Sequence, residues 1–229
     1  MALPVTNVGD NPQTPGVAAE AFIPDQLIAG QFNLVTDNGT LAAGTLARGS
    51  ILGRKTLGGA TSAAKAGGNT GTGTLTVDAT TPVLANAQAG VYQVRATSPT
   101  SFRVTAPDGE VLGDVNVGAT FADQIKFATA AGGVAFVAGD GFDVTVGAGS
   151  GQYLLSVKTA TDGTQYPVAI LADAADASAA PVNIGIYLTG EFNQNAVTFD
   201  ASWALADLKN ALRQYDIFLK SVVSATDPT

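Results

Sequence analysis

The sequence predicts a mainly β protein with one C-terminal helix, built as a small discontinuous α/β domain interrupted by an inserted β-sandwich or barrel. Three observations predict it. Two similar stretches, Ile28-Ala29-Gly30-Gln31-Phe32-Asn33 and Leu188-Thr189-Gly190-Glu191-Phe192-Asn193, stand far apart and mark two halves of one outer unit. Between them the texture changes to Gly- and Thr-rich, with apolar residues alternating at the period of a strand. Only one segment, close to the C-terminus, carries helical spacing.

Residues 1–25 contain Pro4, Pro12, Pro15 and Pro24. Proline fixes φ and removes a backbone donor, so neither a helix nor a central strand is expected there. The segment reads as an extended arm that can order on a partner, for instance by adding a strand to a sheet edge.

From Gln26 to Thr56 the pattern is strand-like. Leu27-Ile28, Phe32 and Leu34-Val35 precede Asp37-Asn38-Gly39, which reads as a tight turn because Asn and Gly tolerate positive φ. Recurrent glycines predict short strands and corners rather than one long regular sheet. The first outer half is placed at residues 26–60.

Leu57–Gly73 is almost all Gly, Ala, Ser and Thr, and reads as a linker into the insert. The insert itself is placed at residues 61–158. Its alternating pairs include Leu75/Val77, Val91/Val94, Phe102/Val104, Val115/Val117, Ile125/Phe127 and Phe142/Val144/Val146. Ala106-Pro107-Asp108-Gly109 is a turn signal. Short strands separated by glycine turns predict a sandwich or barrel with a mildly acidic surface.

The outer unit resumes over residues 159–229. Leu205, Leu208, Leu212, Tyr215, Leu219 and Val222 follow helical spacing, so a helix is expected over Asp200–Val222, capped by Asp200 or Ser202 and ended near Lys220. Its apolar face is expected to pack on its own sheet. Trp203, at the helix start, and Phe32 and Phe192, in the landmarks, are candidates for the core or for an interface between subunits.

Composition excludes much chemistry. The 229 residues contain no Cys and no His. Disulfides, thiol catalysis, zinc sites built on Cys, and every His-dependent triad are therefore ruled out. Eleven Lys and Arg face 19 Asp and Glu, a formal net charge of −8. The cations form no stripe, so no nucleic-acid partner is expected. No stretch approaches the roughly 20 apolar residues of a membrane span, and Met1–Asp10 does not read as a secretory signal. No membrane partner, cofactor or metal is expected.

The motifs that could carry chemistry are thin. Gly68–Gly73 resembles a phosphate loop but lacks the Lys-Ser/Thr and the strand-to-helix context. Ser150 sits among glycines with no His to activate it. Asp140 and Asp143 could offer oxygens to calcium, which needs six or more in a defined loop; a polar turn is the simpler reading. Asp108, Glu110 and Asp114 have the residue types of a glycosidase pair, but nothing in their spacing separates them from solvated turn residues. No enzyme is expected.

The run Leu27–Thr36, continuing through Leu41–Arg54, resembles the N-terminal half of phage head decoration proteins related to the lambda capsid-stabilising protein D. Pro167–Ala172, the Asp/Ala loop after it, Ile186–Asn193, Leu212-Arg213 and Ile217–Lys220 resemble the C-terminal half. The resemblance covers roughly residues 20–56 and 165–222. The compact lambda protein has no domain between these halves.

The resemblance implies a compact α/β, β-tulip-like core and a cement function. Such proteins bind as trimers at three-fold positions on the outer surface of the expanded head, with the phage major capsid protein as partner, and hold it against DNA pressure. It further implies that the arm lies on the shell, with Leu3, Val5, Val8, Val17, Phe22 and Ile23 as its contacts. Phe32, Phe192 and Trp203 would serve the trimer or the core. The rival reading is a virion surface spike whose insert binds a glycan or receptor. Tyr92, Phe102, Phe121, Phe127, Phe136, Phe142 and Tyr153 would have to supply its aromatic platform.

Overall fold

The computed structural model describes residues 26–221. Before the insert the strands are β1 (Val35–Leu41), β2 (Thr45–Leu46) and β3 (Ile51–Arg54). Eight strands follow: β4 (Leu57–Ala64), β5 (Thr74–Val77), β6 (Gly90–Ser98), β7 (Ser101–Thr105), β8 (Val111–Asn116), β9 (Thr120–Ala122), β10 (Lys126–Ala130) and β11 (Gly141–Ala148). The chain returns through β12 (Tyr153–Leu155), β13 (Pro167–Leu171), β14 (Ala175–Asp176) and β15 (Val182–Asn193). Helix α1 (Leu205–Leu212), a 3-10 turn at Arg213–Tyr215 and β16 (Ile217–Lys220) complete it.

The outer strands pair in the order β1-β12-β3-β13-β15-β16, and β1 also pairs with β15. Five strands therefore close into a small ring, with β16 added at its side. The length of β15 makes this possible. Its first part, Val182–Thr189, runs antiparallel to β1, while Gly190–Asn193 runs parallel to β16. Leu41, Leu52, Leu171, Ile184 and Ile186 point into one apolar cluster. A second cluster gathers Leu27, Ile51, Ile170, Phe192 and Trp203 under Leu208 and Leu212 of α1. Leu208 and Leu212 are fully buried, each removal from water contributing about 1.5–3 kcal/mol.

Residues 57–148 form two sheets, β4-β11-β6-β7-β8 and β5-β10-β9. Strict alternation aims Tyr92, Val94 and Ala96 of β6, and Phe102 and Val104 of β7, to one side. They meet Leu75, Phe121 and Phe127 of the smaller sheet in a single cluster, the layout of a β-sandwich. The buried Tyr92 hydroxyl is satisfied twice: Gln88 N–H donates to it and it donates to Gln124 Oε1, both at 2.8 Å. The Ala106–Gly109 turn forms as expected, with Gly109 N–H donating to Ala106 O and Gly109 at φ +92°.

Among the described residues the protein is mainly β with a single short helix near the C-terminus, yet three local expectations are corrected. The helix is not Asp200–Val222. It covers Leu205–Leu212, and Asp216 at φ +56° turns the chain into β16. Leu219 is buried because it alternates with Ile217 in a strand, a pattern that overlaps helical spacing at one position; Val222 lies outside the described residues. Asp200 and Ser202 do not cap: Asp200 accepts from Ser202 N–H at 2.9 Å, and Ser202 Oγ accepts from Lys158 N–H.

Asp37-Asn38-Gly39 is not a turn. It runs straight through β1, opposite Ile186, Gly185 and Ile184. Gly39 is there for space, since a Cβ would meet the Tyr153 ring at 2.6 Å. Leu57–Gly73 is not a linker either. Its first eight residues are β4, which pairs along β11, so the boundary expected after residue 60 falls inside a strand. The rest is tied down by Asp140. Its carboxylate accepts the N–H groups of Thr70 and Gly71, both at 2.9 Å, and of Val137 at 3.0 Å. Small residues here serve close packing and backbone hydrogen bonding, which composition alone reads as looseness.

Candidate interaction surface

The two landmark stretches are hydrogen-bonded to each other. Ala29 N–H donates to Glu191 O and Asn193 N–H donates to Leu27 O, both at 2.8 Å, with Ile28 opposite Phe192. Gly30 leaves its Cβ space to the Glu191 carboxylate. That carboxylate is held below the ordinary range by the Lys220 ammonium at 2.5 Å, and by the N–H groups of Phe32 and Gln31.

This clamp turns Phe32 outward. Its ring stands edge-on to Phe218 of β16, with centroids 5.2 Å apart and planes at 73°. Four apolar side chains of one short segment are exposed: Ile28 at 40%, Phe32 at 44%, Leu34 at 40% and Val35 at 46%. Isolated exposed apolar residues are ordinary, whereas a cluster marks a contact surface. Lys209, Arg213 and the Glu191–Lys220 pair line, with Phe32 and Phe218, a depression of about 340 Å³. Phe32 and Phe218 thus offer an aromatic contact beside the cationic Lys209 and Arg213.

Of the residues singled out from sequence, Phe32 lies on this surface. Phe192 is fully buried and Trp203 nearly so, both in the cluster beneath α1. The Trp203 indole N–H has no partner among the described residues, and Lys158 Nζ sits 5.7 Å from the ring centroid. Leu3, Val5, Val8, Val17, Phe22 and Ile23 lie outside the described residues. Sequence reading missed Phe218, Lys209 and Arg213, because a long helix placed Phe218 on a different face. The available signal was the run of apolar residues at 27–35 without clean alternation.

The other candidates are occupied by structural contacts. Asp143 pairs with Arg95 at 2.5 Å and Asp114 with Arg103 at 3.0 Å. Asp108 accepts from the Gln88 side chain and Glu110 N–H, which lower its pKa. Among the described residues no three acids gather as a metal site, and no helix is long and apolar enough to cross a membrane. The insert's Tyr92, Phe102, Phe121, Phe127, Phe136 and Phe142 are buried, and Tyr153 belongs to β12 of the ring. No aromatic platform is left on the described insert from those residues.

A closed strand ring and a sandwich define the class as a β-rich decoration-type fold. Residues 19–217, most of the chain, match the family described as Bacteriophage lambda head decoration protein D, and the protein belongs to that family. Membership assigns it a structural role in phage head decoration, on the outer surface of the virion capsid. A comparison with curated proteins gives no match. Two crystal structures of Xanthomonas campestris FlgL, in space groups H3 and C2, are similar at 20% identity with a TM-score of 0.30, over 44% of this chain and 33% of theirs. The chain thus spans about a third of that protein, and so shallow a likeness carries no argument.

Proposed function

We propose that this protein binds as a homotrimer to the outer face of the expanded phage head, bridges neighbouring copies of the major capsid protein, and stabilises the shell against the pressure of packaged DNA. The family match over residues 19–217 carries this reading. The exposed Ile28, Phe32, Leu34 and Val35, with Lys209 and Arg213 beside Phe32, support it, since they offer apolar contacts close in sequence to residues 1–25.

In this reading the ring, built from residues 26–56 and 150–221, is the head-binding domain, and the sandwich of residues 57–148 projects from it. Two observations support that division: every residue of the sandwich cluster lies between Leu57 and Val146, and none of the ring clusters draws on that span. The arm, through Leu3, Val5, Val8, Val17, Phe22 and Ile23, lies along the shell. Three arms in one trimer raise each other's effective concentration, so modest single-arm affinity suffices. Preference for the expanded state stabilises that state by mass action.

Mixing the purified protein with expanded and unexpanded shells tests the reading. Binding is expected to the expanded shell alone and to weaken on deletion of Met1–Phe22. Equal binding to both shells, or undiminished binding without the arm, sinks the mechanism.

A further inference from the structure

We propose that the tyrosine-lined cleft on the ring is a binding site for a neutral oligosaccharide. The cleft has a volume of about 530 Å³, within the roughly 300–1,000 Å³ of small-ligand sites. Its walls come from separate parts of the chain: Tyr153 on β12, Tyr166 before β13, Tyr215 in the 3-10 turn, Asp37 on β1, Arg54 on β3 and Asp216. Of the five tyrosines in the sequence, three meet here.

These tyrosines differ from Tyr92, whose hydroxyl is satisfied twice within the protein. No phenol oxygen of Tyr153, Tyr166 or Tyr215 has a hydrogen-bond partner among the described residues, and the Tyr166 side chain is half exposed. The Arg54 Nε donates to Gly151 O at 3.1 Å, which leaves its terminal nitrogens available as further donors. Asp37 accepts only its neighbour's Asn38 N–H, at 2.7 Å. The Tyr153 ring is nonetheless fixed in place, because it lies against the bare Cα of Gly39, where a Cβ would stand 2.6 Å from the ring. A glycine inside a strand marks such a close approach.

Charge decides the ligand class. An anion would face the carboxylates of Asp37 and Asp216, and a cation would face the Arg54 guanidinium. A neutral polyhydroxylated ligand meets neither penalty, because each hydroxyl both donates and accepts. The apolar faces of sugar rings suit phenol rings that carry a polar tip. Burial and the neighbouring Tyr166 raise the Tyr215 pKa, so that phenol remains a neutral donor at physiological pH.

The test is a titration of the full-length protein with maltotriose, cellotriose and chitotriose, read by tyrosine fluorescence and ligand-observed NMR. Tetramethylammonium and inorganic phosphate serve as charged controls. Saturable binding of at least one trisaccharide is expected at about millimolar affinity. It should weaken about tenfold or more in Tyr166→Ala and in Arg54→Gln, with thermal melting and shell binding unchanged. No saturable response to any of the three sugars overturns the proposal. So does a response to the charged probes alone, or sugar binding that survives both substitutions.

Discussion

The Glu191 carboxylate occupies the space that a side chain on Gly30 would need. From there it holds Lys220 of β16 and the backbone N–H groups of Gln31 and Phe32. One glycine thus lets a single acid join the N-terminal segment, β15 and the last strand. Gly30→Ala is expected to expel the carboxylate from this position and to lower the denaturation midpoint. Chemical denaturation measures this; an unchanged midpoint contradicts the clamp.

The same geometry fixes the sign of the acid response. Lys220 and two backbone N–H groups lower Glu191; Thr70 and Gly71 N–H groups lower Asp140; Thr81 and Thr80 N–H groups and Lys126 lower Asp78. A carboxylate with a depressed folded pKa contributes stability above its unfolded pKa and loses it as pH falls towards the folded value. With no His to titrate, the melting temperature should be level from about pH 6 to 9 and fall below about pH 4. A decline between pH 7 and 6 contradicts the assignment.

Asp140→Asn keeps the shape of the side chain but replaces one accepting oxygen with an amide NH2 that faces N–H donors. Exchange of the Thr70, Gly71 and Val137 amides should accelerate, and residues 65–73 should become open to proteolysis. Hydrogen exchange by NMR reads this directly. Unchanged protection at all three amides means that Asp140 is not the anchor.

Phe102 is fully buried in the sandwich, 4.8 Å from the Phe136 ring. Phe102→Ala should destabilise by about 3–5 kcal/mol. If the proposed division holds, protection falls within residues 57–148 while Ile170, Ile184 and Ile186 keep theirs. Leu208→Ala, costing about 2–5 kcal/mol, should give the converse. Loss of protection across the whole chain in both variants argues for one cooperative unit.

Phe32→Ala removes an exposed ring that supports little of the core. Melting should hardly change, while affinity for expanded shells should fall about tenfold, as for a truncated interface anchor. Lys209→Glu with Arg213→Glu should weaken shell binding further at low salt than at high salt. Wild-type affinity in all these variants removes the patch from the contact surface.

The alternating strands of the sandwich were legible because one-sided burial writes a period of two into Tyr92, Val94 and Ala96, and into Phe102 and Val104. The C-terminal segment misled because Leu219 satisfies helical spacing from Leu212 and strand alternation from Ile217 alike. Glycine misled most. Asn38-Gly39 has turn chemistry, but Gly39 makes room for Tyr153; Gly68–Gly73 has linker chemistry, but Asp140 collects its N–H groups. In each case the deciding atom lies far along the chain.

By itself the sequence determined the strand-rich class with its helix near the C-terminus, the family resemblance and the exclusion of Cys and His chemistry. Those properties are carried by local periodicity, by composition and by the order of short motifs. Tertiary structure alone decided that the two landmark stretches pair, that β15 closes a ring, and that Phe32 faces out while Phe192 faces in. It also brought Tyr153, Tyr166 and Tyr215 to one cleft. The physical reason is common to all four: each depends on contacts between residues remote in sequence, and which face of a strand meets them is set by register rather than by residue type.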